Sequence, residues 1–446
     1  MDALPLPPHP SLDHYRRLAK DLVRACRSDA PDAIRAWTTA WIETLVARHG
    51  LSVSLPGSHR ACTPAEIRER IDRSAQRIAK HLQGKTRPRS RAATTACTLA
   101  AAQLAIARES GFPSWPRFAR HVEALARAST SVSRFESAVD AVVSGDLAAL
   151  ARLLREDGAL VRARSTRSHG ATLLHYVSAN GVEDYRQRTP STAVEVARML
   201  LEAGAEVDAE ADMYGGGART LGLVATSIHP AHAGLLVELI ELLLKAGAAV
   251  DGGGPPGAAV NACLHNGRPE GAATLARHGA RLDVEAAAGV GRLDVVRGFF
   301  TADGRLQPPA TRAQMESGLM WACEFGHTRV VEFLLDRGLD VDVQVQGMGG
   351  LHWAMVGGHL ETIELLLERS ASVESKNAYG GTALGAATWA VMHSDPVYRW
   401  PQPDVDWVAI IETLLAAGAD VRQADYPTGN ERVDEVLRRA RAKLRD

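Results

Sequence analysis

The residues best suited to chemistry in this sequence of 446 residues gather in one polar stretch, Val182–Thr192 (VEDYRQRTPST), just after His175 and Tyr176. Arg186 and Arg188 supply planar, permanently charged forks that match a carboxylate or a phosphate. Tyr185 and His175 are the residues there that can give and take a proton, so they are the candidate acid–base pair. No established catalytic signature accompanies them: Gly-x-Ser-x-Gly, the phosphate-cradling Gly-x-x-x-x-Gly-Lys-Ser/Thr and His-Glu-x-x-His are all missing. His229-Pro-Ala-His232 offers two imidazoles with no acidic residue in phase and reads as a pair of loop histidines. No metal and no cofactor is therefore expected. Two glycine fingers, Tyr214-Gly215-Gly216-Gly217 and Tyr379-Gly380-Gly381-Thr382, suit either close backbone approach to a ligand or a tight hairpin tip. The five cysteines (Cys26, Cys62, Cys97, Cys263, Cys323) show no paired spacing, and reduced thiols without a disulfide framework are expected.

The elements that must position these residues are helices. The chain is 46% hydrophobic and 23% charged with formal net charge −1, which excludes a disordered or fibrous protein. Neither a secretory leader nor an uncharged apolar run of about 18 residues is seen, so a cytoplasmic protein without membrane contact is expected. A phrase recurs along the chain: MLLEAGAEVD (Met199–Asp208), LLLKAGAAVD (Leu242–Asp251) and FLLDRGLDVD (Phe333–Asp342), with weaker copies near Thr274, Leu365 and Thr413. Each copy closes an amphipathic stretch such as HTRVVEFLLDRG, whose apolar residues mark one helical face ending at a glycine. A second short helix precedes each, as in TLLHYVSANG, LMWACEFGH and LHWAMVGGH. Such a pair cannot bury its apolar face alone and must stack on its neighbours.

These motifs resemble the ankyrin repeat, best in GLHWAMVGGHLETIELLLERSASV (Gly350–Val373). Eight units can be read, beginning near Phe135, Gly170, Ala218, Ala258, Leu282, Ser317, Gly349 and Thr382. The implied fold is all-α: an ankyrin-repeat solenoid over 131–425, with insertions at 182–192 and 390–407 and a capping helix in 426–446, near Leu437–Leu444. Residues 1–130 form a separate helical leader, with helices over Leu12–Arg27, Ala33–His49, Ala65–Leu82 (opened by a Thr63–Glu66 capping box), Leu99–Ser110 and Pro116–Ala126. This part resembles the helical segment found ahead of many bacterial ankyrin arrays, a resemblance that implies no activity.

The resemblance also implies where ligands bind. In the family the first helix of each unit lines a concave groove, and one variable position points into it. Here that position holds Tyr176, Trp321 and Trp353 among smaller residues, with Trp389 one turn beyond Ala386. Their rings suit a stacking wall for a planar ligand, or anchors for a protein partner. Glu324, Tyr214 and Tyr379 are expected beside that wall, with His175, Tyr185, Arg186 and Arg188 reaching it from the insertion. His175 and His352 also occupy the family's own histidine position, where the ring ties turns together. The charge is uneven: residues 1–130 hold 21 Lys and Arg against 11 Asp and Glu, and the remainder 30 against 41. The basic residues crowd between Arg60 and Arg91, but Glu66, Glu69 and Asp72 interrupt them and no aromatics interleave, which argues against nucleic acid. Two functions stay open. One is a recognition scaffold for a protein partner. The other is a small-molecule-binding or catalytic site for a planar or anionic ligand in the groove.

Overall fold

The computed structural model describes residues 3–7, 10–28, 30, 32–49, 64–83, 97–127, 129–393 and 405–444. The Thr63–Glu66 capping box, Cys62, the basic residues Arg60, Lys85, Arg87, Arg89 and Arg91, and Asp395, Tyr398 and Trp400 of the second insertion lie outside what is described. The chain divides into two compact units, Met1–Gly252 and Gly253–Asp446.

Five helices open the first unit: α1 (Leu12–Cys26), α2 (Ala33–His49), α3 (Pro64–Gln83), α4 (Leu99–Glu109) and α5 (Trp115–Leu125). Ser11 and Thr98 start α1 and α4 by accepting hydrogen bonds from His14 N and Ala101 N, which satisfies amides the helix itself leaves unpaired. The helices close around Tyr15, Leu22, Ile78, Ile106, Phe112 and Phe118. Packing of α1 against α4 brings Cys26 and Cys97 to a Cα separation of 5.9 Å, where they form a disulfide. That corrects the expectation of reduced thiols throughout: the partners stand 71 residues apart, so no local spacing announces them. Cys263 and Cys323 are buried free thiols.

Helix pairs follow in the same unit. They are α6 (Ser131–Ser144) with α7 (Leu147–Glu156), α8 (Leu173–Tyr176) with α9 (Ala193–Glu202), and α10 (Thr220–Thr226) with α12 (Leu236–Lys245), the short α11 (Ile228–His232) between the last two. A two-residue antiparallel ladder, β1 (Glu210–Ala211) with β2 (Ala218–Arg219), carries the first glycine finger at its tip. Gly215, Gly216 and Gly217 there have φ of 102°, 103° and 70°, conformations that a side chain would strain.

The second unit repeats the pattern: α13 (Ala258–His265) with α14 (Pro269–Arg277), α15 (Val284–Gly289) with α16 (Leu293–Arg297), α17 (Arg312–Glu324) with α18 (Thr328–Asp336), α19 (Gly350–Gly357) with α20 (Leu360–Glu368), and α21 (Ala383–Met392) with α22 (Trp407–Ala416). Each second helix buries one stripe, such as Val330, Val331 and Leu334 on α18 or Ile363 and Leu366 on α20, in a core that runs continuously from Val284 to Leu437. The turn histidines lock the stack. His327 Nε2 donates to Gly289 O and His359 Nε2 to Glu324 O, each reaching back to the preceding first helix. A hairpin, β3 (Gln344–Val345) with β4 (Met348–Gly349), precedes α19. The last helix, α23 (Glu431–Ala442), begins earlier than expected because Asn430 caps it through Arg432 N and Val433 N. Among the described residues no helix is long and apolar enough to cross a membrane.

Candidate functional site

The expected site residues fall into two groups, one in each unit, and each group has its own chemistry.

In the first unit the insertion folds inward. Glu136 and Asp140 stand one turn apart on α6, and the Arg186 fork spans them, with Nη1 2.7 Å from Glu136 Oε2 and Nη2 2.8 Å from Asp140 Oδ1. Arg167, on the loop after α7, pairs through Nε with Glu183 Oε1 and donates from Nη1 to Ser110 O at 2.9 Å. Its Nη2 donates to the Tyr185 hydroxyl at 3.2 Å. Tyr176 is fully buried, its hydroxyl donating to Glu183 Oε1 at 3.4 Å and its ring facing Phe135 and His169. At the edge, Arg70 of α3 pairs with Asp184 at 2.7 Å.

The electrostatics are those of a closed ion network. Burial pushes the Glu183 carboxyl up, but Arg167 and Arg186 outweigh it and hold the group well below the usual range. Glu136 follows the same logic, with Arg186 the stronger partner. Burial raises Tyr185 to about 12 and lowers His121, whose Nδ1 meets Thr166 Oγ1 at 2.7 Å, to about 4. The tyrosine is thus a neutral hydroxyl at pH 7, accepting from Arg167. His175 stands apart from Tyr185: its Nδ1 accepts from Thr172 N at 3.2 Å and its Nε2 donates to Ala218 O at 3.3 Å. Burial lowers it to about 4, which keeps the ring neutral as a tie between turns. Arg188 is exposed on the insertion, and Tyr214 is exposed at the first finger with its hydroxyl donating to Asn180 Oδ1.

Sequence reasoning brought Tyr176, Tyr185 and Arg186 to one place but missed Glu136, Arg167, Glu183, His121 and His169, which complete it. The available signal was composition: a loop rich in arginine beside two helical acids one turn apart.

In the second unit the first helices carry an aromatic row. The run Ala286-Ala287-Ala288-Gly289 makes α15 thin, and α17 closes onto it through Gly318, where an added Cβ would stand 2.9 Å from Ala288 Cβ. Trp321 then lies over α15, its Nε1 donating to Glu285 Oε1 at 3.0 Å and its ring edge-on to His265. Phe325, which ends α17, stacks on Trp321 at 6.1 Å, and Trp353 of α19 stands 6.1 Å from Trp321. Trp353 is half-buried, while Trp389 on α21 is 53% exposed and stacks on His393. Tyr379 is 90% exposed at the second finger, where Asn377 Oδ1 accepts from Tyr379 N and Gly381 N.

Glu324 is the outlier of this row. The residue is 7% exposed, its side chain has no hydrogen-bond or ion partner among the described residues, and Oε2 is sealed from solvent. Burial alone raises it to about 8, so at pH 7 it is chiefly a neutral acid. The indole Nε1 of Trp353 is likewise buried without an acceptor. Among the described residues no group of three His, Cys, Asp or Glu is arranged to hold a metal ion.

The sequence matches the family model of ankyrin repeats, in three copies, over residues 284–377 and 319–395, the stretch that carries the aromatic row. No curated protein matches the chain. Residues 284–395 are ankyrin repeats.

Proposed function

We propose that the repeats form a recognition scaffold that docks a protein partner on the first-helix row of the second unit, with the half-buried Trp353 as anchor, the buried Trp321 supporting it from behind and Trp389 at the rim. Repeats of this family generally mediate protein–protein interaction. The observation that supports this face is the side-by-side pair of indoles on consecutive first helices, 6.1 Å apart and flanked by an exposed third. Large aromatic rings in such settings are the residues that carry interface energy. The small-ligand reading with Arg186 as an anion clamp has less support, because Glu136 and Asp140 already take both ends of that fork.

Peptides selected on the full chain from a random displayed library test the reading. They are expected to protect the amides of α17 and α19 from hydrogen exchange and to lose about tenfold or more in affinity when Trp353→Ala is introduced. Binders that protect only other helices, or that ignore Trp353→Ala, contradict it.

A further inference from the structure

We propose that this face selects a partner segment by a lysine or arginine side chain, laid along the half-buried indole of Trp353 with its cation delivered to the Glu324 carboxylate. The inference rests on the docking reading above and adds the chemical class of the occupant.

Three independent observations point the same way. Glu324 is a buried acceptor with no partner, so turning towards a cation breaks no existing bond. The first helices of the unit, α13, α15, α17, α19 and α21, carry Glu285, Glu316 and Glu324 but no lysine and one arginine, Arg312, which is already bonded to Glu316 at 2.9 Å. With Glu316 bonded to Arg312 and Glu285 to the Trp321 indole, Glu324 is the acid of this row left without a partner among the described residues, and the face of Trp353 adds a cation–π attraction. Finally, the partnerless Trp353 Nε1 is a donor, the complement of Glu324. A peptide satisfies both at once, a main-chain carbonyl accepting from the indole and a basic side chain meeting the acid, which a bare inorganic cation cannot do.

Binding has a protonation signature. Of the groups on the packed elements, Glu285 on α15, His327, Arg329, Glu332 and Asp336 at α18, His352 on α19 and His359, which donates to Glu324 O, none shifts the Glu324 carboxyl; burial alone does. The carboxyl that holds a proton below about pH 8 must release it to receive the cation. Affinity therefore climbs by up to tenfold per pH unit from pH 6 towards 8 and levels off above.

The test uses the displayed peptides selected on the full chain at pH 8.5, then measured as free fluorescent peptides. The binders are expected to share a lysine or arginine, and Glu324→Gln, which keeps shape and fold, to weaken them about thirtyfold or more. Exchanging the shared basic residue for norleucine should cost as much, and the two changes together little more than either alone. The pH dependence should vanish in Glu324→Gln. Binders that depend on Trp353 yet share no basic residue, or that bind Glu324→Gln as well as the parent, overturn this inference and leave the docking face standing. Selection that yields no binder, or binders indifferent to Trp353→Ala, overturns both.

Discussion

Buried carboxyl groups occur in both units, and they are treated in opposite ways. Glu136 and Glu183 lie among Arg167 and Arg186, which hold them charged despite burial. Glu324 is buried with no partner among the described residues, and burial drives it towards the neutral acid. A buried charge is tolerated only when paired, so the first arrangement fastens parts of the chain to one another. It joins the insertion (Glu183, Arg186) to α6 (Glu136) and to the loop that grips the turn after α4 (Arg167 to Ser110 O). The second arrangement fastens nothing. An isolated buried acid costs stability at neutral pH, and a binding site is where such a cost has a use.

The contrast is sharpest in what removing one group should do. Arg167→Met strips Glu183 of its first partner and should cost about 3–5 kcal/mol, the penalty for orphaning a buried charge. Amide exchange in α6 and α8 measures it locally, which suits a stacked array better than one global transition. Glu324→Gln should act in the opposite direction. A carboxyl raised from 4.5 to about 8 contributes stability below pH 4.5 that is lost as pH rises through 8. The amide should therefore gain about 3 kcal/mol over the parent at pH 7 and nothing at pH 4, read from amide exchange in α17 and α19. If Glu324→Gln is destabilising at pH 7, the two units do not differ as described.

Acid should weaken the first unit in a window set by its histidines. His121 and His175 are lowered to about 4, so between pH 6.5 and 4 the unfolded chain binds protons that the folded chain refuses. Stability is then present above pH 6.5 and lost as pH falls, by about 2 kcal/mol per ring at pH 5. A unit whose exchange protection is flat from pH 7 to 5 would contradict that sign. The smallest effect belongs to the rim: Trp389→Ala removes an exposed ring and should change stability by less than about 1 kcal/mol while still weakening selected peptides.

How much of this was readable in the residues depends on range. Leu12–Arg27 was expected and Leu12–Cys26 is found, and Ala65–Leu82 was expected where α3 runs from Pro64 to Gln83, because periodicity and terminal residues act within a few positions. The histidine position was legible too, since His175 and His352 bond to Ala218 O and Gly381 O in the same way. The hairpin before α19 escaped notice, its Gln346-Gly347 tip lacking the Asn-Gly or Asp-Gly that usually marks such turns. The ion network was illegible for a different reason. Arg186 reads as a fork for an outside anion, and only packing of the insertion against α6 shows that Glu136 and Asp140 take it. Glu324 could be named with the aromatic row, but its isolation is a property of every neighbour at once, and no spacing encodes that.

The central claim is that Glu324 is a protonated, unpaired acid while the buried acids of the first unit are charged and paired. A carbon-detected NMR titration of the glutamate side chains in the intact chain tests it directly. One carboxyl signal, absent from Glu324→Gln, should show a midpoint near 8, and two signals, those of Glu136 and Glu183, should still be ionised at pH 4.5. A Glu324 midpoint near the ordinary 4.5 would contradict it.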